Sequence, residues 1–283
     1  MQYTIWAAEH LKEGTFYKVH SVYKRTVNIL VANKILALHP KEIAMTPLSI
    51  QLDLSTEVFS ELAQAAGRLK RIFWTRSGIK VGLKEWKHKE IIQWDPKPGY
   101  TLGKEAIQRL HQETGGFLKQ YGPAVGAMAD SAVCTEPQPG DDMLTRMFRE
   151  QAAEIYKTGI ANPVELAKAC KPLIGAGNGL TPSGDDFVTG MLLAFHITSS
   201  IYEIEKEHFY GEIEPYFFKT NDISRQYLCC ALRGEAGILW HQLWKSWDQN
   251  ENRTKALEQI KGIGHSSGID TLNGMYAGLS MML

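Results

Sequence analysis

The chain has 283 residues, 44% of them apolar and 10% aromatic, with 31 basic and 31 acidic side chains. Such a composition builds a sizeable core and excludes intrinsic disorder, while the zero formal charge excludes the basic footprint that nucleic acid or an anionic membrane demands. No apolar run approaches the roughly 18 residues of a membrane span, the charged N-terminus is no signal peptide, and Cys134, Cys170, Cys229 and Cys230 form no C-x-x-C pair. The thiols are therefore read as reduced and mostly buried, in a cytoplasmic protein.

Residues 1–100 read as a mostly β domain broken by one helix. Residues 26–31 are rich in β-branched side chains, and 34–38 follow after Ala32-Asn33, a hairpin turn. Residues 48–54 alternate apolar and polar, as in a half-buried strand. Ser55 opens a helix whose apolar face is Val58, Phe59, Leu62, Ala65 and Ala66, ending near Gly67. Residues 78–83 and 89–94 read as two further strands. Pro96-Lys97-Pro98-Gly99 is the clearest boundary signal in the chain.

Residues 101–283 read as a mostly helical domain, so the fold class is α+β. Helices are expected over 104–119, with Gly115-Gly116 inside or ending the helix early, from Asp141-Asp142, and from Asn162 with Pro163 at the first helical position. Residues 121–140 form a connector with a short helix at its centre. Asn221 or Ser224 opens a later helix. Gly234-Glu235 separates it from a segment whose Trp240, Trp244 and Trp247 share one face, a pattern of core or interface rather than a stacking platform. A short polar helix over 250–260 follows, and residues 264–270 open the last helix.

Between these elements lies the segment with the most chemistry. Residues 175–186 read Gly-Ala-Gly-Asn-Gly-Leu-Thr-Pro-Ser-Gly-Asp-Asp. A glycine-rich loop there delivers the chain into a helix carrying Phe187, Met191, Leu192 and Phe195. Either Thr181 caps this helix with Pro182 at its first position, or Ser183 caps it with Asp186 as the capping-box acid. Free N–H groups and the positive dipole end make such a start an anion site. Asp185 and Asp186 oppose a bare phosphate and leave room for a neutral amide, a carbonyl, or an anion bridged by a cation. The Lys of a nucleotide-binding P-loop is missing.

The final helix start echoes this one. Ser183, Gly184, Asp186, Gly190 and Met191 recur as Ser267, Gly268, Asp270, Gly274 and Met275, 84 positions on. The expectation is that both starts face one polar pocket.

The motif of residues 175–186 resembles the signature of the bacterial AllH-like family, once a family of unknown function. Gly264-His265-Ser266-Ser267-Gly268 resembles its closing motif, and residues 20–25, His-Ser-Val-Tyr-Lys-Arg, are similar to its N-terminal segment. The resemblance implies an AllH-type subunit of oxamate carbamoyltransferase, which acts with FdrA-type and AllG-type protein subunits in anaerobic allantoin breakdown. The implied reaction exchanges a carbamoyl group between oxamate, or a related amide, and phosphate.

Carbamoyl transfer needs donors for the oxyanion that develops on the carbonyl. The candidates for binding the small amide or anion are Gly177, Asn178, Gly179, Thr181, Ser183 and Gly184 in the first motif and Ser266, Ser267 and Asp270 in the second. His20 and Arg25 are expected to reach the same pocket from the strand half. Asp185 or Asp186 accepts from the carbamoyl NH₂ or acts as base, and His265 is the candidate proton shuttle. The residues admit a Mg²⁺ held by one Asp and give no positive support for it. Two other readings compete. One is a non-catalytic subunit that binds a metabolite or stabilises the complex. The weaker one is a stand-alone amidase using Ser183 or Ser266 as nucleophile, without the G-x-S-x-G elbow.

Overall fold

A computed structural model describes residues 1–75, 77–87, 91–99, 101–121, 131–198, 206–249 and 253–283. The chain divides into two compact units, Met1–Pro96 and Lys97–Leu283. The first is a strand sheet with helical cover and the second is mostly helical, an α+β fold.

The first unit holds β1 (Gln2–Thr4), α1 (Ile5–His10), β2 (Thr15–Tyr23), β3 (Thr26–Val31), β4 (Lys34–His39), β5 (Ser49–Gln51), α2 (Thr56–Leu69), β6 (Arg71–Thr75), β7 (Gly78–Val81), β8 (Lys84–Lys87) and β9 (Ile92–Trp94). They form one sheet of order β8-β7-β6-β2-β3-β4-β5-β1-β9. β4 and β5, and β1 and β9, run parallel; the other neighbours are antiparallel. The hairpin between β3 and β4 turns at Ala32 and Asn33, both with positive φ, as a two-residue primed turn requires. Ser55 caps α2 by accepting the Val58 N–H. The helix runs past Gly67 and ends on Lys70 in the left-handed region. Its Phe59, Leu62, Ala63 and Ala66 pack into the core formed by Ile29, Leu36, Leu38, Ile72 and Trp74.

Four strands lay beyond the reach of periodicity. β1 is only three residues long, and β2, β6 and β8 carry charged or aromatic residues on their open faces, so their alternation is weak. The expected strand over 48–54 pairs only at β5, and that over 89–94 is observed as β9, with residues 88–90 outside the described residues.

The second unit holds α3 (Lys104–Tyr121), α4 (Met143–Thr158), α5 (Pro163–Cys170), α6 (Ser183–Thr198), α7 (Lys206–Ile213), α8 (Asp222–Leu232), α9 (Ile238–Gln249), α10 (Arg253–Lys261) and α11 (Ser267–Ser280), with 3-10 turns at Lys171–Leu173 and Glu214–Lys219. Asp142 caps α4, and Asn162 caps α5 with Pro163 behind it. Asn221, not Ser224, caps α8. Gly115 and Gly116 lie inside α3, where Gly115 faces the Tyr276 ring too closely for a side chain. The helix expected at the centre of the 121–140 connector falls at 122–130, outside the described residues; residues 250–252, the start of the expected 250–260 helix, lie outside them too. Trp240, Trp244 and Trp247 are buried in the core. Cys170 and Cys230 are buried, Cys134 and Cys229 half-buried, and none of the four is in a disulfide.

At the centre of this unit stand α6 and α11, buried on almost every side. They run in the same direction. Gly190 of α6 lies against the Thr271 carbonyl, and Gly274 of α11 against the Phe187 carbonyl. Further along, Gly278 meets Ala194. Each contact repeats on exchanging the two helices at the 84-residue offset, so the pair has a local two-fold relation. Only glycine allows two helix backbones to touch in this way. No helix among the described residues is long and apolar enough to cross a membrane.

Candidate functional site

The parallel packing brings the starts of α6 and α11 together. The Thr181 and Ser267 hydroxyls are 2.8 Å apart and hydrogen-bonded. Neither Thr181 nor Ser183 caps α6 as the sequence expectation had it. The helix begins at Ser183 itself, and the Asp185 and Asp186 N–H groups bond the Pro182 carbonyl. The freed hydroxyls turn to the other helix start instead. Ser183 acts on Asp270 of α11, while Ser267 and Thr181 act on Asp186 of α6. The repeat is thus reciprocal in space, each serine addressing the carboxyl of the opposite helix.

The two carboxyls at the centre are poorly satisfied. Asp270 is fully buried, and neither of its oxygens has a hydrogen-bond partner among the described residues. The Ser183 and Ser266 hydroxyls ease its charge without completing a bond. Asp186 is 9% exposed, and its Oδ2 is likewise buried and unpartnered. Burial, then the charge of Asp270, push the Asp186 carboxyl well above the usual range. Burial pushes Asp270 up to about 6. Such groups are costly, because a buried charge without compensation loses its hydration for nothing.

Asp185 is buried too, but its circumstances differ. It accepts hydrogen bonds from the Gly175 N–H at 2.8 Å, from Ser224 Oγ at 2.6 Å and from Thr220 Oγ1. Burial raises its pKa, and these three donors oppose the rise. Asp185 therefore ties the glycine loop to the start of α8. Thr220 and Ser224 were not found by sequence reasoning, since nothing local marks them as partners of a residue more than thirty positions earlier.

The loop itself bends at Gly175, Gly177 and Gly179, all with positive φ. Gly177 is half-buried, and Asn178, Gly179 and Leu180 are exposed at its tip. Part of the expected anion cradle, at the heads of the two helices, is taken up by the fold. The Gly184 N–H bonds the Ala176 carbonyl, those of Asp185 and Asp186 bond Pro182, and in α11 those of Gly268 and Asp270 bond Ile263 and Ser266. What the two starts present is a pair of carboxyls ringed by hydroxyls.

Of the other expected residues, Ser266 precedes α11 without a capping bond, and His265 is exposed just before it. His20 and Arg25 belong to the first unit. His20 is exposed on β2, where its Nδ1 pairs with Ser21 Oγ at 3.0 Å, and Arg25 is exposed in the turn after that strand. Among the described residues no group of three or more His, Cys, Asp or Glu side chains is placed to hold a metal ion.

Residues 173–279, which contain both helix starts, match the family described as oxamate carbamoyltransferase subunit AllH. Residues 3–91 match the AllH family N-terminal domain. The chain belongs to the AllH family. The two matches cover most of its length, and the AllH match begins at Leu173, just before the glycine loop, and ends in the last turn of α11, so the paired starts lie within what the family shares. No solved structure matches the chain. That family's description indicates a subunit of oxamate carbamoyltransferase.

Proposed function

We propose that this AllH-family chain handles the carbamoyl group in a carbamoyltransferase complex, at the pocket between the starts of α6 and α11. The observation that carries the reading is the buried, unpartnered pair Asp186 and Asp270 within a ring of hydroxyls. A carbamoyl group is a small plane with N–H donors on one side and a carbonyl on the other. Asp186, at the margin of the pocket, accepts from the carbamoyl NH₂. The Thr181, Ser183, Ser266 and Ser267 hydroxyls supply donors where charge develops on the carbonyl oxygen. Asp185 holds the loop of Gly177, Asn178 and Gly179, and with it Gly184 at the head of α6, in place rather than touching the substrate. His265, exposed beside the pocket's second start, serves as the proton shuttle.

In this reading the reaction takes oxamate or a related amide with phosphate to carbamoyl phosphate, in cytoplasmic nitrogen catabolism from allantoin and purines. The chain works with FdrA-type and AllG-type subunits. The test is reconstitution of the three subunits and assay of carbamoyl phosphate formed from oxamate and phosphate. Asp186→Asn and Asp270→Asn should assemble normally and lose activity by about a hundredfold or more. Full activity in both variants would favour a subunit that only stabilises the complex.

A further inference from the structure

We infer that Asp186 and Asp270 together hold one divalent cation of the oxygen-preferring class, Mg²⁺ or Mn²⁺. The inference concerns the same pocket as the proposed function and adds what occupies its floor. Both Asp270 oxygens and Asp186 Oδ2 are buried without a partner. No basic side chain acts on either carboxyl among the described residues. A protein interior tolerates two facing carboxylates when a proton or a cation lies between them. The surroundings favour the cation. Thr181, Ser183, Ser266 and Ser267 add neutral oxygen donors from both helix starts, and carboxylate, hydroxyl and water oxygens are the ligands of Mg²⁺ and Mn²⁺.

The count of donors fits as well. With no third acidic or imidazole ligand among the described residues, the protein fills only part of an octahedron. Mg²⁺ is usually held in this way, by one or two carboxylates, with its remaining positions taken by water and substrate oxygens. Charge gives the arrangement a purpose. Two carboxylates contribute two negative charges, and two helix starts offset about half a charge each. A divalent ion turns the net local charge positive. The pocket then attracts an anionic substrate that the acids alone would repel. Asp186 Oδ1, which is not among the buried unpartnered atoms, stays available to the carbamoyl NH₂.

The test needs no substrate, so it succeeds or fails independently of the carbamoyl assay. The full chain is stripped with a chelator and titrated with Mn²⁺, and free Mn²⁺ is followed by electron paramagnetic resonance. The expected result is about one saturable site per chain, displaced by Mg²⁺, with affinity lowered roughly tenfold or more in Asp186→Asn and in Asp270→Asn. Thermal unfolding of the wild type, which depends on no variant, should shift upward with Mn²⁺. Absence of saturable binding up to about 1 mM in the folded wild type would overturn the inference. Undiminished binding in both variants would do the same.

Discussion

Asp185 and Asp186 are neighbours in the chain, yet the fold gives one three donors and leaves the other with a bare oxygen. The donors of Asp185 come from the loop and from the approach to α8. Asp185→Ala would strand the Gly175 N–H and the two hydroxyls, and should cost about 2–4 kcal/mol of stability, read from urea unfolding. Asp270 has the opposite balance. Asp270→Asn removes a buried charge that nothing satisfies, so with chelator present at pH 7.5 it should unfold about 2–6 °C higher than the wild type. Equal or lower melting would show that the carboxylate is better compensated than its geometry indicates. His39 supplies a pH dependence in the first unit. Burial lowers its pKa from 6.5 to about 4, against a weaker opposing hydrogen bond to the Arg25 carbonyl. Its imidazole stays neutral when folded while the unfolded chain takes up a proton. The contribution is therefore complete above pH 6.5 and is lost as pH falls towards 4, on the order of 3 kcal/mol. Urea midpoints at pH 7 and pH 4.5 should separate more in the wild type than in His39→Gln.

The element that sets the pocket is the α6–α11 pair, and its geometry rests on reciprocal glycines. A methyl group on Gly190 or Gly274 collides with a carbonyl of the other helix, and backbone cannot rotate away as a side chain can. Gly190→Ala and Gly274→Ala should each cost about 3 kcal/mol or more by driving the helices apart. Gly116, on the exposed side of α3 with open space around it, is the control. Gly116→Ala should stabilise by about 0.5–1 kcal/mol, and circular dichroism melts of the three variants would check both signs. The echo of Ser183, Gly184, Asp186, Gly190 and Met191 was legible in the sequence because glycine and serine at helical spacing stand out. That the two copies pack in parallel, with each serine crossing to the other's carboxyl, was not. Local sequence records the start of a helix and not its partner. The cap predicted at Thr181 or Ser183 failed for the same reason, since α6 begins at Ser183 and the Thr181 hydroxyl bonds Ser267 of the other start.

Across the whole molecule, each unit carries its own core, one built by α2 on the strand sheet and the other around α6 and α11. Conservative cavities in the two should then be independent. Ile29→Val and Ile155→Val, both at fully buried positions, should cost about 1 kcal/mol each and add within about 0.5 kcal/mol when combined, as a double-mutant cycle in urea would show. By itself the sequence determined the α+β class, the hairpin at Ala32-Asn33, the caps at Ser55 and Asn162, and the two motifs that mark the AllH family. Each of these is written in a few adjacent residues whose backbone preferences or spacing act locally. Only the tertiary structure decided that Asp185 is a brace and that Asp186 and Asp270 lie buried together with unpartnered oxygens. Those outcomes depend on hydrogen bonds and close backbone approach between residues far apart in the chain, where no local pattern can say which donor meets which acceptor.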